Sequence, residues 1–294
     1  MASLEAAKNI LRDLFAQFQW QGALASRLFY VGLWYAVYGV YRATGRTQDE
    51  SQHAAQVWLG PRLGLSSRLV RVRLPGGVRA EFDLVTAAFA VKEFVVDGMY
   101  EAYPGFIPQP GQVVVDVGAH QGIFSMRAAA RVGGTGRVVS IEPSPRNQDI
   151  LERNIAVNGF AHATLVRAAA NDAEGDVVLY QHPLGSAGNS IIVQEEGSVP
   201  VTVRGRTLDG ILAELGISRV DLLKIDVEFA GLAVLQGAAA ALARGPRIVM
   251  EVEGGAGPID AVRRFLEDRG YRVRAARHIL YADLSESQTA PQVR

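Results

Sequence analysis

Beyond Pro110 the chain repeats one pattern: a short apolar run rich in β-branched residues, followed by a longer stretch with helical spacing. The apolar runs are Val113–Val117, Val138–Ile141, Ala163–Val166, Leu222–Val227 and Ile248–Val252. Continuous apolar runs of this length suit strands buried on both faces. Among the intervening stretches, Ser144 to Asn158 and Ala230 to Ala243 have the clearest helical period, the second with Leu232, Leu235 and Ala239 on one face. Strands alternating with helices predict an α/β fold, a mostly parallel sheet with helices on both faces. The rhythm breaks from Asp176 to Val203, where Val177–Tyr180, Ile191–Val193 and Val199–Val203 read as strands with no helix between them. A hairpin or irregular insertion is expected there.

The first third is patterned differently. Leu69 to Leu74 and Val78 to Leu84 alternate with period two around Pro75-Gly76-Gly77, which predicts a β-hairpin. A mainly helical stretch from Thr86 to Val96 should follow. Ahead of the hairpin, residues 44–67 lose the pattern, and before them nine of the 23 aromatic residues crowd between Phe15 and Tyr41. The uncharged run between Arg27 and Arg42 is 14 residues, short of the roughly 18–20 that span a bilayer. It lacks the charge pattern and cleavage site of a secretory signal. A helix packed on the domain or on a second copy is the plain reading, which makes a homodimer through the N-terminal helices one expectation. A membrane-surface helix is the other. The expected division is 1–67 as an aromatic-rich helical extension, 68–110 as hairpin and lead-in, 111–283 as the main domain and 284–294 as a flexible tail. The expected location is cytoplasmic, with peripheral membrane contact as the alternative.

Composition narrows the chemistry. The 294 residues include no cysteine, which removes disulfides, cysteinyl metal sites and thiolate nucleophiles. Thirty basic side chains balance thirty acidic ones, and neither side of Pro110 carries the excess charge of a dedicated nucleic-acid binder. With 49% hydrophobic and 20% charged residues, the chain can bury a core.

The most informative segment is Val113-Val114-Val115-Asp116-Val117-Gly118-Ala119-His120-Gln121-Gly122, an apolar strand running through a glycine turn into a helix. Such a turn lets the backbone approach a ligand, and the helix start offers free N–H groups. The spacing is Gly-x-x-x-Gly, so the dinucleotide fingerprint is not met. The first strand carries Asp116 near its end, and 26 residues later the second ends in Glu142, within Ile141-Glu142-Pro143. An acid at the second position can accept hydrogen bonds from two ribose hydroxyls. The pair suits a nucleoside with an amino-acid tail and a sulfonium, S-adenosyl-L-methionine, better than NAD.

Asp116-Val117-Gly118-Ala119-His120-Gln121-Gly122, Ile141-Glu142-Pro143-Ser144-Pro145, Asn171-Asp172 after an alanine run, Thr207-Leu208-Asp209, Val220 to Glu228 and Pro246 to Val252 occur in a characteristic order. In this the chain resembles the FkbM-type S-adenosylmethionine-dependent methyltransferases over roughly residues 97–275. Lys224-Ile225-Asp226-Val227-Glu228 is the most specific string. The resemblance implies a class I, Rossmann-like methyltransferase fold with seven strands, the last antiparallel, and usually methyl transfer to oxygen. It implies that Asp116, Gly118, His120 and Gly122 line the methionyl part, that Glu142 binds the ribose, and that Asn171 and Asp172 sit beside adenine. The chain departs from the family pattern at His120, where Asn is common, and at Phe229-Ala230-Gly231, where Gly-Ala-Glu is common. The second departure bears on the acceptor side.

Methyl transfer is an in-line displacement, so the protein must align the acceptor and, for an alcohol, remove its proton. Asp226 should face the cofactor crevice. Asp226 and Glu228 are the candidate base and orienting pair, and alternation puts Lys224 on the same strand face. Lys224 could stabilise a developing alkoxide or neutralise the two acids. The hard oxygens of Asp226 and Glu251 would suit a divalent metal such as magnesium, although their spacing does not diagnose one. Tyr100, Glu101, Tyr103, His182 and Ser190 are the candidates for the acceptor side. The acceptor class is a hydroxyl on a small molecule, sugar or lipid. Two other readings stand beside it: an NAD-type oxidoreductase, and a non-catalytic membrane-associated protein keeping a degenerate cofactor fold.

Overall fold

The computed structural model describes residues 69–83, 86–87, 94, 98–181, 189–194, 197–276 and 279–284. The aromatic-rich stretch, most of the expected 86–96 helix, His182 and the tail after Leu284 lie outside the described residues. The strands are β1 (Leu69–Arg73), β2 (Arg79–Asp83), β3 (Val113–Val117), β4 (Arg137–Ile141), β5 (Ala163–Val166), β6 (Ala169–Ala170), β7 (Gly175–Gln181), β8 (Val199–Arg206), β9 (Leu222–Ile225), β10 (Arg247–Glu251), β11 (Tyr271–Ala276) and β12 (Ile279–Leu284). The helices are α1 (Ile123–Val132), α2 (Pro145–Asn158), α3 (Leu208–Glu214), α4 (Gly231–Gln236), α5 (Ala239–Leu242) and α6 (Ala256–Glu267).

Seven strands form one sheet in the order β11-β12-β10-β9-β3-β4-β5. From β10 to β5 the pairing is parallel, and β12 runs antiparallel to both β10 and β11. This is the α/β architecture expected from the sequence, and the apolar runs before residue 253 coincide with β3, β4, β5, β9 and β10. Alternation sorts each central strand between two cores. On β3, Val114 joins a cluster with the β1–β2 hairpin and α1, whereas Val115 and Val117 join one with α3 to α6. Burial on both faces is why these strands carry no polar alternation.

Two expected elements differ. The helix expected over Ala230 to Ala243 is two helices. At Gly237 the backbone passes so close to the Asn171 carbonyl that any Cβ would overlap it, and Asp209 then caps α5, accepting from Ala240 N at 2.7 Å and Ala241 N at 2.8 Å. The run Ile191–Val193 is not a strand; a single bridge joins Ser190 to Tyr180. The Ser190 hydroxyl accepts from Ile192 N at 3.1 Å and Val193 N at 3.0 Å, which bends the chain where pairing would need it straight. The irregular region is otherwise a small sheet of order β6-β8-β7.

The hairpin is fastened to α2 and to the turn after β3 by side-chain amides. Along the open edge of β2, Asn158 accepts from Arg79 N at 2.8 Å and donates to Arg79 O at 2.6 Å. Asn154 accepts from Glu81 N at 2.7 Å and donates to Glu81 O at 2.8 Å, and Gln121 accepts from Asp83 N at 2.9 Å. Positions i and i+4 of helix α2 match positions i and i+2 of a strand in spacing. Carboxamides therefore stand in for a neighbouring strand, and the last rung lies in the glycine turn after β3.

Candidate functional site

The chain runs from β3 outward to β5 and returns to β9 on the other side of β3. At such a reversal the loops after the two central strands diverge and leave a crevice at their carboxyl ends. The side chains there are built upward from a polar row. Parallel register places Ser140 of β4 beside Asp116 of β3, and Asp116 beside Lys224 of β9. Asp116 is wholly buried, with Ser125 Oγ at 2.6 Å from Oδ2 and Lys224 Nζ at 2.9 Å from Oδ1. Ser125 and Ser140 share a hydrogen bond of 2.7 Å.

Lys224 is 2% exposed. Its ammonium donates to Gly118 O at 2.8 Å and forms ion pairs with Asp116 at 2.9 Å and Asp226 Oδ2 at 3.4 Å. Burial pulls this ammonium down, but Asp116 and Asp226 outweigh it and hold the group above its usual value. Lys224 thus places its positive charge beside both acids.

Asp226 stands just past β9, partly exposed and held from a second side by Tyr100, whose hydroxyl lies 2.8 Å from Asp226 Oδ2 and 3.1 Å from Glu251 Oε2. Tyr100 is fully buried at φ 68°, in edge contact with Phe124. Expected on the acceptor side, it instead lies behind Asp226 and orients it. Glu253, which sequence reasoning passed over, joins Asp226 and Glu251, and the three offer oxygens within 4.8 Å of one another. Burial, then Asp226, pushes the Glu253 carboxyl above its ordinary value. This trio is the one set among the described residues spaced to share a cation, with Lys224 already neutralising Asp226. The alternation Glu251-Val252-Glu253, continuing past β10, was the available signal for it.

The turn after β3 closes over this row. Gly118 has φ 73°, and a Cβ there would overlap the Asp226 carbonyl. Gly122 has φ 92° and packs on Leu151. His120 lies between them at φ 53°, partly buried; burial pulls its imidazole below the usual value against the pull of Asp83 and Asp226. Its main-chain N–H donates to Glu142 Oε2 at 2.9 Å, and Oε1 accepts from Ser144 N at 2.9 Å and Asn147 Nδ2 at 3.2 Å. Burial pushes Glu142 up against these bonds. With two acceptor directions per oxygen, Oε2 retains capacity beyond its bond from His120.

Several sequence candidates fall elsewhere. Asp116 lies beneath the crevice and supports it through Lys224; its carboxylate has no exposed surface to line a ligand site. The strand ends at Ile225, so Glu228 is in the turn beyond the alternation expected of it, and its main-chain carbonyl accepts from Ser190 Oγ at 3.0 Å. The Ser190 hydroxyl, with those three bonds, holds the insertion against that turn and is structural. Glu101 pairs with Arg127 at 2.7 Å and Arg131 at 2.6 Å, a clamp on α1. Tyr103 packs edge-on to Tyr281 at 4.9 Å, beneath Arg274. Asn171 N donates to Arg206 O at 2.8 Å beside the α4–α5 break, and Asp172 is exposed; no described hydrogen bond joins either to Glu142, His120 or Asp226.

Phe229 was singled out only as a departure. It has φ 62°, a conformation that costs a non-glycine residue about 1–3 kcal/mol, and it is 46% exposed.

A seven-stranded sheet with one antiparallel strand near its edge, a glycine turn after its first strand and an acid at the end of the second defines the class I, Rossmann-like S-adenosylmethionine-dependent methyltransferases. Residues 116–273 match the methyltransferase FkbM domain family, and the chain belongs to it. It is similar to the 31-O-demethyl-FK506 methyltransferase FkbM of Streptomyces tacrolimicus, 28% identical over 77% of this chain and 98% of that protein. It is 30% identical over 69% of its length to the AMB antimetabolite synthetase AmbE of Pseudomonas aeruginosa, of which it spans only 12%. A solved FkbM methyltransferase from Methylobacillus flagellatus is 19% identical over 67% of this chain and 54% of that one, with a TM-score of 0.44. Among the described residues no helix is long and apolar enough to cross a membrane.

Proposed function

We propose that this chain transfers a methyl group from S-adenosylmethionine to a hydroxyl of a small molecule, sugar or lipid, with Asp226 accepting the hydroxyl proton. The observation that carries the proposal is Asp226 itself. It is the carboxylate at the crevice that is partly open to solvent yet held by Lys224 at 3.4 Å and Tyr100 at 2.8 Å. The similarity to a relative named for a 31-O-demethyl compound supports oxygen as the acceptor atom.

The chain's residues fit the cofactor. Gly118 and Gly122 give a turn without side chains at the crevice, His120 faces it from between them, and Glu142 has acceptor capacity for ribose hydroxyls. Asn171 and Asp172 are assigned to the adenine edge on the family resemblance alone, not on a contact with Glu142, His120 or Asp226. When bound, S-adenosylmethionine supplies a methyl group on a cationic sulfur. The protein's task is then to align the acceptor oxygen and take its proton. Lys224 and Tyr100 fix the position of the Asp226 carboxylate. A fixed base within hydrogen-bond reach contributes about 10²–10⁴-fold.

Three measurements test this. S-adenosylhomocysteine should raise the melting temperature of the protein, and extract incubated with methyl donor should yield a product about 14 mass units heavier, one methyl replacing one hydrogen. Asp226→Asn should lower turnover by at least about 10²-fold while cofactor affinity stays within a few-fold. Full activity in that variant removes Asp226 from the role.

A further inference from the structure

We propose that Phe229, with Ile192, forms an apolar lip at the mouth of the site, and that the acceptor is therefore an alcohol on an apolar skeleton rather than a free polyol. The inference rests on the methyltransferase reading above and narrows its acceptor class.

Phe229 lies three residues past Asp226, in the turn that leads from β9 into α4. Its backbone sits in the left-handed region, where an aromatic residue is a genuine outlier. Local hydrogen bonding holds it there: Phe229 N donates to Glu253 Oε2 at 3.3 Å. The ring is supported from below, since a Cβ built on Gly254 would meet Phe229 Cε1 at 3.6 Å. Its remaining surface is open, 46% of the residue. A strained, exposed aromatic beside a carboxylate trio is not explained by packing, because burial is what normally offsets such a conformation. A ligand that covers the ring would supply that burial.

A second apolar residue stands at the same place. Ser190 Oγ bonds to the carbonyl of Glu228, the residue before Phe229. Ile192, two residues after Ser190, is 57% exposed, the most exposed of the large hydrophobic residues described. Two exposed apolar residues thus flank one hydrogen bond in sequence, and the nearer of them follows the proposed base by three positions. Their chemistry offers no hydrogen bond to a sugar's other hydroxyls. It offers a flat face and a branched chain against which a ring system or hydrocarbon can lose its hydration while one hydroxyl reaches Asp226.

The test uses the full chain and methyl-tritiated S-adenosylmethionine with a whole-cell extract, the product then partitioned between water and organic solvent. Wild-type label should move to the organic phase. Phe229→Gly removes the ring and suits the left-handed backbone, so it should fold at least as well as the parent, and it should lower the initial rate of organic-phase labelling at limiting extract at least tenfold, the loss shrinking as the extract is concentrated. Phe229→Leu should restore part of the loss. Label confined to the aqueous phase, no organic-phase product, or an equal rate of organic-phase labelling in Phe229→Gly each overturns the inference. S-adenosylhomocysteine should raise the melting temperature of both proteins alike. If it fails with the wild type, the methyltransferase reading falls, and this one with it; if it succeeds while the organic phase stays unlabelled, only the apolar acceptor is refuted.

Discussion

Lys224 connects everything at the site: two acids from different strands and the carbonyl of the glycine turn all take their positive partner from one ammonium. Removing one member of a buried ion pair leaves the other charge uncompensated, which costs about 3–5 kcal/mol. Lys224→Met should therefore lower the unfolding free energy by about that amount, and adding Asp116→Asn should recover a substantial part of it. A loss below about 1 kcal/mol in urea titration would show the pair to be dispensable. The sequence held more of this arrangement than single motifs suggest. Each of the three neighbouring strands carries one polar residue near its carboxyl end, Ser140, Asp116 and Lys224, in otherwise apolar runs, and parallel register aligns them. Reading the strands together rather than one at a time would have placed Lys224 beneath the site. Tyr100 could not have been placed that way, because its contact with Asp226 spans 126 positions of sequence and depends on a loop of no regular period.

At the scale of elements, the hairpin shows what periodicity can and cannot reveal. Its strands and turn are legible from alternation around Pro75-Gly76-Gly77. The partner that completes its edge is not, because Asn154 and Asn158 look like ordinary polar positions of an amphipathic helix. The same limit explains the helix broken at Gly237, where the cause is the backbone of Asn171 arriving from a distant segment. It also applies to β11 and β12, whose sequences are less continuously apolar than those of the central strands. Asn154 bonds to both main-chain groups of Glu81 and also to Gln121 O at 2.9 Å. Asn154→Ala leaves these groups unpaired, at about 1–3 kcal/mol for a buried donor or acceptor. Because Gln121 belongs to the glycine turn, the same variant should weaken S-adenosylhomocysteine binding. Asn154→Asp keeps the acceptor for Glu81 N and loses the donor, so it should fall between. Titration calorimetry of the three proteins checks the order; equal affinity in all would separate the hairpin from cofactor binding.

Across the whole molecule, the site exists because two halves of the sheet meet. β3, β4 and β5 are laid down before the chain crosses to β9 and β10, so Gly118 and Asp226 come from opposite halves. They touch so closely that a Cβ on Gly118 would overlap the Asp226 carbonyl oxygen. A ligand resting on both should bind only when that seam is closed. Binding to the folded state alone adds about 2.7 kcal/mol at a ligand concentration 100 times Kd. At about 2–4 °C per kcal/mol for a domain of this size, S-adenosylhomocysteine should raise the melting temperature by about 5–10 °C. Gly118→Ala must either open the seam or distort a backbone at φ 73°, so it should lose most of that rise. Asp226→Asn, whose main-chain carbonyl is unchanged, should keep it. The two variants thus divide what Asp226 does through its side chain, proton removal, from what its backbone does, closing the crevice. Scanning calorimetry with and without S-adenosylhomocysteine reads both. A full rise in Gly118→Ala would mean that the seam between the halves is not where the cofactor is held.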